Sequence, residues 1–76
     1  MTMVQQTGKI AQIIGPVIDV DFAEGNLPKI YDALYIPLGE RQVWVEVAKH
    51  LNKTTVRCIA LQATEGLSRG LTVINT

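Results

Sequence analysis

The chain has 76 residues and a mass of 8.4 kDa, which is enough for one small domain. This length excludes a complete nucleotide-binding α/β enzyme, because one βαβ unit takes about 30 residues and a working sheet needs several. Hydrophobic residues make up 47%, too many for a disordered segment. Seven basic and seven acidic residues cancel, so the chain lacks the positive charge that binds nucleic acid or an anionic membrane.

Three features indicate the cellular environment. Cys58 is the single cysteine, so the chain can form no internal disulfide. The polar segment 1–8 does not resemble a signal peptide, and even the longest apolar runs, such as 58–61, are far shorter than the roughly 20 residues of a membrane helix. We therefore expect a soluble, intracellular protein without membrane insertion.

The first third of the chain predicts two strands. Residues 7–14 form the first, and Gly15-Pro16 ends it because proline removes a ladder donor and glycine permits a bend. Residues 17–22 are the clearest strand, since apolar and acidic residues alternate there with a period of two. The apolar side is Ile18, Val20 and Phe22, and the polar side is Asp19 and Asp21.

The remaining segments predict four further strands. After a loop at 23–28 come strands at 32–38 and 42–50, then a turn at Asn52-Lys53 and a strand at 54–62. Residues 64–70 read as a loop with one helical turn at 65–67, followed by a last strand at 71–74. In the fourth strand, Val43, Val45 and Val47 share one face, whereas Trp44, Glu46 and Ala48 share a second, partly wet face.

About six short strands at this spacing are typical of a small all-β barrel or sandwich. We favour a closed, Greek-key-like barrel, because six short strands cannot hide two open sheet edges. The predicted organisation is a flexible tail at 1–6 and a single barrel domain at 7–76.

Two glycine motifs suggest chemistry that the rest of the chain does not support. Residues 66–70 match G-x-S-x-G, but a nucleophile elbow needs an acid and a histidine further along, and neither follows. Gly8-Lys9 lacks the earlier glycine and the following Ser or Thr of a phosphate-binding loop. We predict neither a nucleophile nor a nucleotide site.

Other candidate site residues are better explained by structure. Asp19 and Asp21 could form half of a cation site, but no acidic cluster accompanies them, so a solvated face or an ion pair is expected. His50 and Cys58 alone cannot make a structural zinc site, and His50 is expected at the surface or as a cap. The sequon at 52–54 has no secretion signal beside it. We therefore predict no catalytic, cofactor-binding or metal-binding residue.

Five segments, taken in order, resemble the F-type ATP synthase beta subunit. They are 8–22 (GKIAQIIGPVIDVDF), 25–34 (GNLPKIYDAL), 46–51 (EVAKHL), 55–61 (TVRCIAL) and 64–70 (TEGLSRG). The resemblance covers nearly all of 7–76. Its opening is shared with related rotary ATPase subunits, and the combination with 25–34 points to the beta subunit over the alpha subunit. The stretch between Leu38 and Trp44 departs from typical members.

The resemblance implies the family's N-terminal domain, a six-stranded barrel at the crown of the catalytic headpiece. There, alternating alpha and beta barrels form a ring that holds the hexamer together for ATP synthesis coupled to proton transport. The family's central nucleotide-binding domain, which binds Mg-ATP or ADP, has no counterpart in these residues. The implied location is a peripheral complex on the cytoplasmic face of an energy-transducing membrane, or its plastid or mitochondrial equivalent.

Two other hypotheses remain open at this point. A free-standing natural or engineered barrel could bind a protein, or itself, through an open strand edge or a seam. A small oligonucleotide-binding barrel would need aromatic residues interleaved with basic ones, and only Tyr31 beside Lys29 comes close.

Overall fold

A computed structural model describes residues 6–25 and 27–75, and in these ranges the chain is built from strands. The strands are β1 (Gln6–Ile14), β2 (Val17–Asp21), β3 (Ala33–Leu38), β4 (Arg41–His50), β5 (Thr55–Ala60) and β6 (Thr72–Asn75). Each predicted strand is confirmed to within two residues at either end. Of the tail predicted at 1–6, residues 1–5 lie outside the described ranges, and β1 begins one residue early, at Gln6.

The six strands close into an antiparallel barrel in the order β1-β2-β5-β4-β3-β6. Strands β3, β4 and β5 follow one another as hairpins, and β2 lies beside β5 after a long connection, which is the Greek-key arrangement. The predicted fold class is therefore confirmed. Closure pairs each of these strands on both sides, so the open edge considered from the sequence is absent here. The narrowest junction is β3–β6, with the single register pair Tyr35–Ile74.

The barrel interior is filled by the inward side chains of the strands. The three valines predicted to share a face of β4 are all fully buried, as are Val56 and Cys58 on β5. A barrel of this size has room only for side chains at its axis, so small branched residues fill it. The buried core comprises Ile10, Ile18, Val20, Phe22, Leu34, Ile36, Val43, Val45, Val47, Val56, Cys58 and Val73.

A β-bulge at Ala11 resets which side chains of β1 face inward. Ile10 pairs with Val20 and Gln12 pairs with Asp19, so Ala11 is the extra residue. Without the bulge, alternation would place Ile10 and Ile14 on the same face. With it, Ile13 packs against the core while Ile14 is 57% exposed. A second bulge at Ala48 lies between Val47 and Lys49 in β4.

Gly8 lies where the neighbouring strand β2 leaves no room for a side chain on β1. It pairs with the buried Val73, and a Cβ at this position would lie 2.6 Å from the carbonyl oxygen of Asp21 and 2.9 Å from Val20 Cγ1. The first of these neighbours is backbone and cannot rotate away. The barrel wall can therefore close at this point only around a residue without a side chain.

The connection from β2 to β3 closes one end of the barrel. Leu27 packs against the core, and Pro28 is fully buried. His50 Nε2 donates a hydrogen bond to the Pro28 carbonyl oxygen at 2.7 Å, so of the two roles expected for this residue, at the surface or as a cap, it combines an exposed position with a capping bond. Tyr31 follows with φ of 75°, in a turn closed by the bond from Asp32 N to the Lys29 carbonyl oxygen at 3.0 Å.

The loop between β5 and β6 consists of turns. Leu67 N donates to the Thr64 carbonyl oxygen at 3.1 Å, which makes 64–67 a β-turn. The helical turn predicted at 65–67 is therefore wrong. Gly66 and Gly70 have φ of 90° and 88°, in the left-handed region that favours tight turns over a helix.

Candidate interaction surface

The G-x-S-x-G segment does not form a nucleophile elbow. Ser68 is exposed in a loop that leads into β6, whereas the elbow needs a strand followed by a helix. Its glycines serve the turns, since Gly66 and Gly70 both have positive φ. The segment is thus part of the barrel's connecting structure.

Asp19 forms a two-bonded ion pair with Arg57 across β2 and β5. Arg57 Nε lies 2.9 Å from Asp19 Oδ1, and Nη2 lies 3.1 Å from Oδ2. Asp19 is only 6% exposed, and its carboxylate raises the pKa of the Arg57 guanidinium, first through the hydrogen bond and then through its charge. Of the alternatives left open by the sequence, the ion pair is the one that forms.

Asp21 lies on the same outer face but has a different partner. It is exposed and accepts a hydrogen bond from Thr55 Oγ1 at 2.7 Å. Within residues 6–25 and 27–75, no three His, Cys, Asp or Glu side chains gather where they could hold a metal ion. The same ranges contain no helix long and apolar enough to cross a bilayer.

Cys58 is held inside the barrel wall. It pairs in register with Ile18 on β2 and with Val47 on β4, and it is fully buried. Desolvation raises the pKa of its thiol to about 12, with a further contribution from the charge of Asp19. The thiol is therefore protonated at neutral pH, which makes it a poor nucleophile and metal ligand.

The outer wall carries a row of aliphatic and aromatic side chains, which we call the outer apolar band. Its members face away from the core on consecutive strands of the barrel, and several are well exposed. The band comprises Ile14, Val17, Tyr35, Trp44, Ile59, Leu61 and Ile74. Ile14 and Leu61 are each 57% exposed, and Ile59 is 40% exposed.

Hydrogen bonds and ring packing hold the middle of this band in place. The Tyr35 and Trp44 rings pack with centroids 5.2 Å apart and an interplanar angle of 44°. Leu61 N donates to the Trp44 carbonyl oxygen at 2.9 Å, and Trp44 N donates to Gln62 Oε1 at 2.8 Å. These bonds extend the β4–β5 pairing beyond Ala60, so that Leu61 is fixed on the outer face.

Glu46 is a charged residue that lies beside members of the outer apolar band. It pairs in register with Ile59 on one side and Ala33 on the other, and Trp44 precedes it by two positions on the same face. The residue is partly buried. In the described ranges its carboxylate has neither a hydrogen bond nor an ion pair, since the ion pair found there joins Asp19 and Arg57.

Two depressions open on the barrel surface away from the centre of the band. One, of about 370 Å³, is lined by Glu24, Gly25, Leu27 and Lys53. The other, of about 490 Å³, lies at the Ala11 bulge and is lined by Ile10, Ala11, Asp21, Arg69 and Gly70. Each depression is lined by one acidic and one basic residue and is open to solvent. Small-molecule sites usually enclose most of their ligand, so neither depression has the shape expected of one.

The fold and surface define a small closed β-barrel domain with an apolar outer band. The model of the ATP synthase alpha/beta family, beta-barrel domain, matches residues 10–76. The chain therefore belongs to this family. The match spans every strand apart from the first four residues of β1, and it confirms the family resemblance found in the sequence.

The sequence pattern indicated the outer band only in part. It placed Trp44 and Glu46 on a partly wet face of the fourth strand, but it did not bring that face beside Ile59 and Leu61. The β4–β5 register does so, by setting Glu46 opposite Ile59. The sequence signal for this surface was Glu46, an acidic residue among apolar neighbours. Its cross-strand neighbours depend on the strand register, which no local sequence pattern specifies.

Proposed function

We propose that this chain is the non-catalytic N-terminal barrel of an ATP synthase beta subunit, and that it holds the alternating alpha/beta hexamer together at the crown. The family match over residues 10–76 carries the proposal. The beta assignment rests on the resemblance of 25–34 (GNLPKIYDAL) to that subunit. The partners are the barrel domains of neighbouring alpha subunits.

The barrel architecture supports contact through side chains. Because the described strands close on themselves, pairing with a partner's strand would require breaking existing hydrogen bonds. Association therefore uses the outer face, where Ile14, Ile59 and Leu61 expose apolar surface. The outer apolar band crosses all six strands, so it can meet neighbours on two sides, as a member of a ring must.

Catalysis belongs to another part of the parent enzyme in this proposal. The 76 residues contain no glycine-rich phosphate loop, and we propose that the chain binds neither nucleotide nor metal on its own. Mg-ATP and ADP are bound by the family's central domain. The parent complex is peripheral to an energy-transducing membrane, on the bacterial cytoplasmic side or its organellar equivalent.

Calorimetric titration tests this function directly. Purified ATP synthase alpha subunit titrated into the chain is expected to bind in the micromolar range, whereas Mg-ATP is expected to give no binding heat. Micromolar binding of Mg-ATP would overturn the non-catalytic assignment. Absence of any alpha-subunit complex at 100 µM, with both proteins folded by circular dichroism, would overturn the assembly role.

Self-association is a second candidate function. It is favoured by the exposed fractions of Ile14 and Leu61, each 57%, on a barrel of 76 residues. Light scattering at micromolar concentration separates the two candidates. A defined homo-oligomer that does not bind the alpha subunit would favour self-association, and a monomer that binds it would favour the assembly role.

A further inference from the structure

The centre of the outer apolar band combines exposed apolar surface with one unpaired charge. We call this part the Glu46 face and define it as Trp44, Glu46, Ile59 and Leu61. Ile59 and Leu61 are 40% and 57% exposed, and Trp44 is fixed by its ring contact with Tyr35. The Trp44 ring is therefore held in place, and the exposed parts of Ile59 and Leu61 are available for contact.

The other outer-face carboxylates show by contrast that Glu46 lacks a partner. Asp19 is neutralised by Arg57, and Asp21 accepts a hydrogen bond from Thr55. The bulge at Ala48 places Lys49 opposite Arg57, one row away from Glu46, and no ion pair joins Lys49 to it. The only charge within the Glu46 face is thus a carboxylate that this part of the chain leaves unsatisfied.

Burying the face against another molecule would remove water from that carboxylate. An ionised group that loses water without gaining a counter-charge opposes binding, so a fitting partner must supply a cation or a hydrogen-bond donor. A second copy docked about a two-fold axis through β4 and β5 would instead bring two Glu46 carboxylates together. Like charges in such an interface repel, and self-pairing at this face is disfavoured.

We infer that the Glu46 face docks on an unlike barrel that presents an Arg or Lys side chain surrounded by apolar residues. Glu46 then selects the unlike neighbour and rejects a second copy of its own chain. This inference rests on the proposed function, and it names both the surface used and the chemistry of the partner. The apolar residues supply contact area, whereas the carboxylate supplies the choice of partner.

The test compares Glu46→Gln and Glu46→Lys with Glu24→Gln and Glu24→Lys as matched controls. Glu24 is exposed and lies in the loop after β2, outside the band. Sedimentation velocity measures binding of each variant to purified alpha subunit. We expect Glu46→Gln to weaken binding about 10-fold and Glu46→Lys about 100-fold or more, because the second adds a like charge facing the partner's cation. The Glu24 variants should change binding by less than about 3-fold.

Homodimer formation by the same variants is a second, independent measurement. Removing the repulsive charge should raise homodimer formation of Glu46→Gln several-fold over the unmodified chain, and Glu24→Gln should leave it unchanged. Leu61→Ser, at a well-exposed position that tolerates substitution, should weaken both kinds of association. If the unmodified chain binds alpha subunit and both Glu46 variants bind equally well, the inference fails while the assembly role stands. If the unmodified chain does not bind, both fail.

Discussion

The inner and outer walls of this barrel contain similar side chains in different environments. Leu34 and Ile36 on the inner wall are fully buried, whereas Ile59 and Leu61 on the outer wall are 40% and 57% exposed. On β5 the buried Val56 and Cys58 alternate with the outward Arg57 and Ile59, so one strand contributes to both walls. The inner aliphatic residues therefore stabilise the fold, while the outer ones remain available for association.

The charged residues of the outer wall divide in the same way. Asp19 has its counter-charge within the chain, in Arg57, and thereby fastens β2 to β5. Glu46 lies among apolar neighbours with no such counter-charge among the described residues. A satisfied pair contributes to the barrel itself, whereas an unsatisfied charge on an exposed face is suited to a partner.

Truncating one residue on each wall compares how much the inner and the outer side chains contribute to stability. Ile36→Ala should lower the free energy of unfolding by about 2–5 kcal/mol, because it removes buried methyl groups and leaves a cavity. Leu61→Ala should change it by no more than about 0.5 kcal/mol, since that side chain is mostly exposed. Urea denaturation followed by tryptophan fluorescence measures both. Equal losses would contradict the division into a structural and an available wall.

A second prediction concerns the tight contact between Gly8 on β1 and the backbone of Asp21 on β2. Gly8→Ala should destabilise the barrel by about 1–3 kcal/mol, because the new Cβ would lie 2.6 Å from the Asp21 carbonyl oxygen and would force the backbone to shift. Thr7→Ala, at the exposed neighbouring position, is the matched control and should cost far less. Thermal unfolding by circular dichroism compares them, and an unchanged midpoint for Gly8→Ala would show that β1 is not held so tightly.

The buried thiol of Cys58 predicts a dependence of stability on pH that has no effect at neutral pH. Because burial raises the Cys58 pKa from 9.0 to about 12, the folded state resists ionisation that the unfolded state undergoes. Stability should be unaffected by this group below pH 9 and should then fall by up to roughly 1.4 kcal/mol for each pH unit between 9 and 12. Cys58→Ala should show a shallower fall over this range. Parallel pH profiles for the two chains would contradict the account of the thiol.

The strand pattern made most of the fold predictable. The alternation of apolar and polar residues in 17–22 and the spacing of the β4 valines predicted these strands and their inward faces. A barrel was favoured because closure removes open sheet edges. The bulges at Ala11 and Ala48 were not predicted, because an inserted residue is defined by its partner strand and leaves no local signature.

The contacts of surface and loop residues also depend on which strands pair and in which register. Asp19 was expected on a polar face, and only the β2–β5 register shows that Arg57 covers it. The positive φ of Tyr31 could not be predicted, because tyrosine rarely adopts this backbone conformation. The hydrogen bond from the Tyr31 amide to the Val47 carbonyl oxygen, at 2.8 Å, holds the backbone there. The isolation of Glu46 likewise follows from its cross-strand neighbours.

NMR can locate the alpha-subunit contact on the barrel surface. The ¹⁵N-labelled chain is titrated with unlabelled alpha subunit, and backbone amide shifts or intensity losses are followed residue by residue. We predict that the changes concentrate at Trp44, Glu46, Ile59 and Leu61 and leave the loop at 23–32 unaffected. Changes confined to that loop, or spread evenly over the barrel, would contradict the assignment of the Glu46 face as the docking surface.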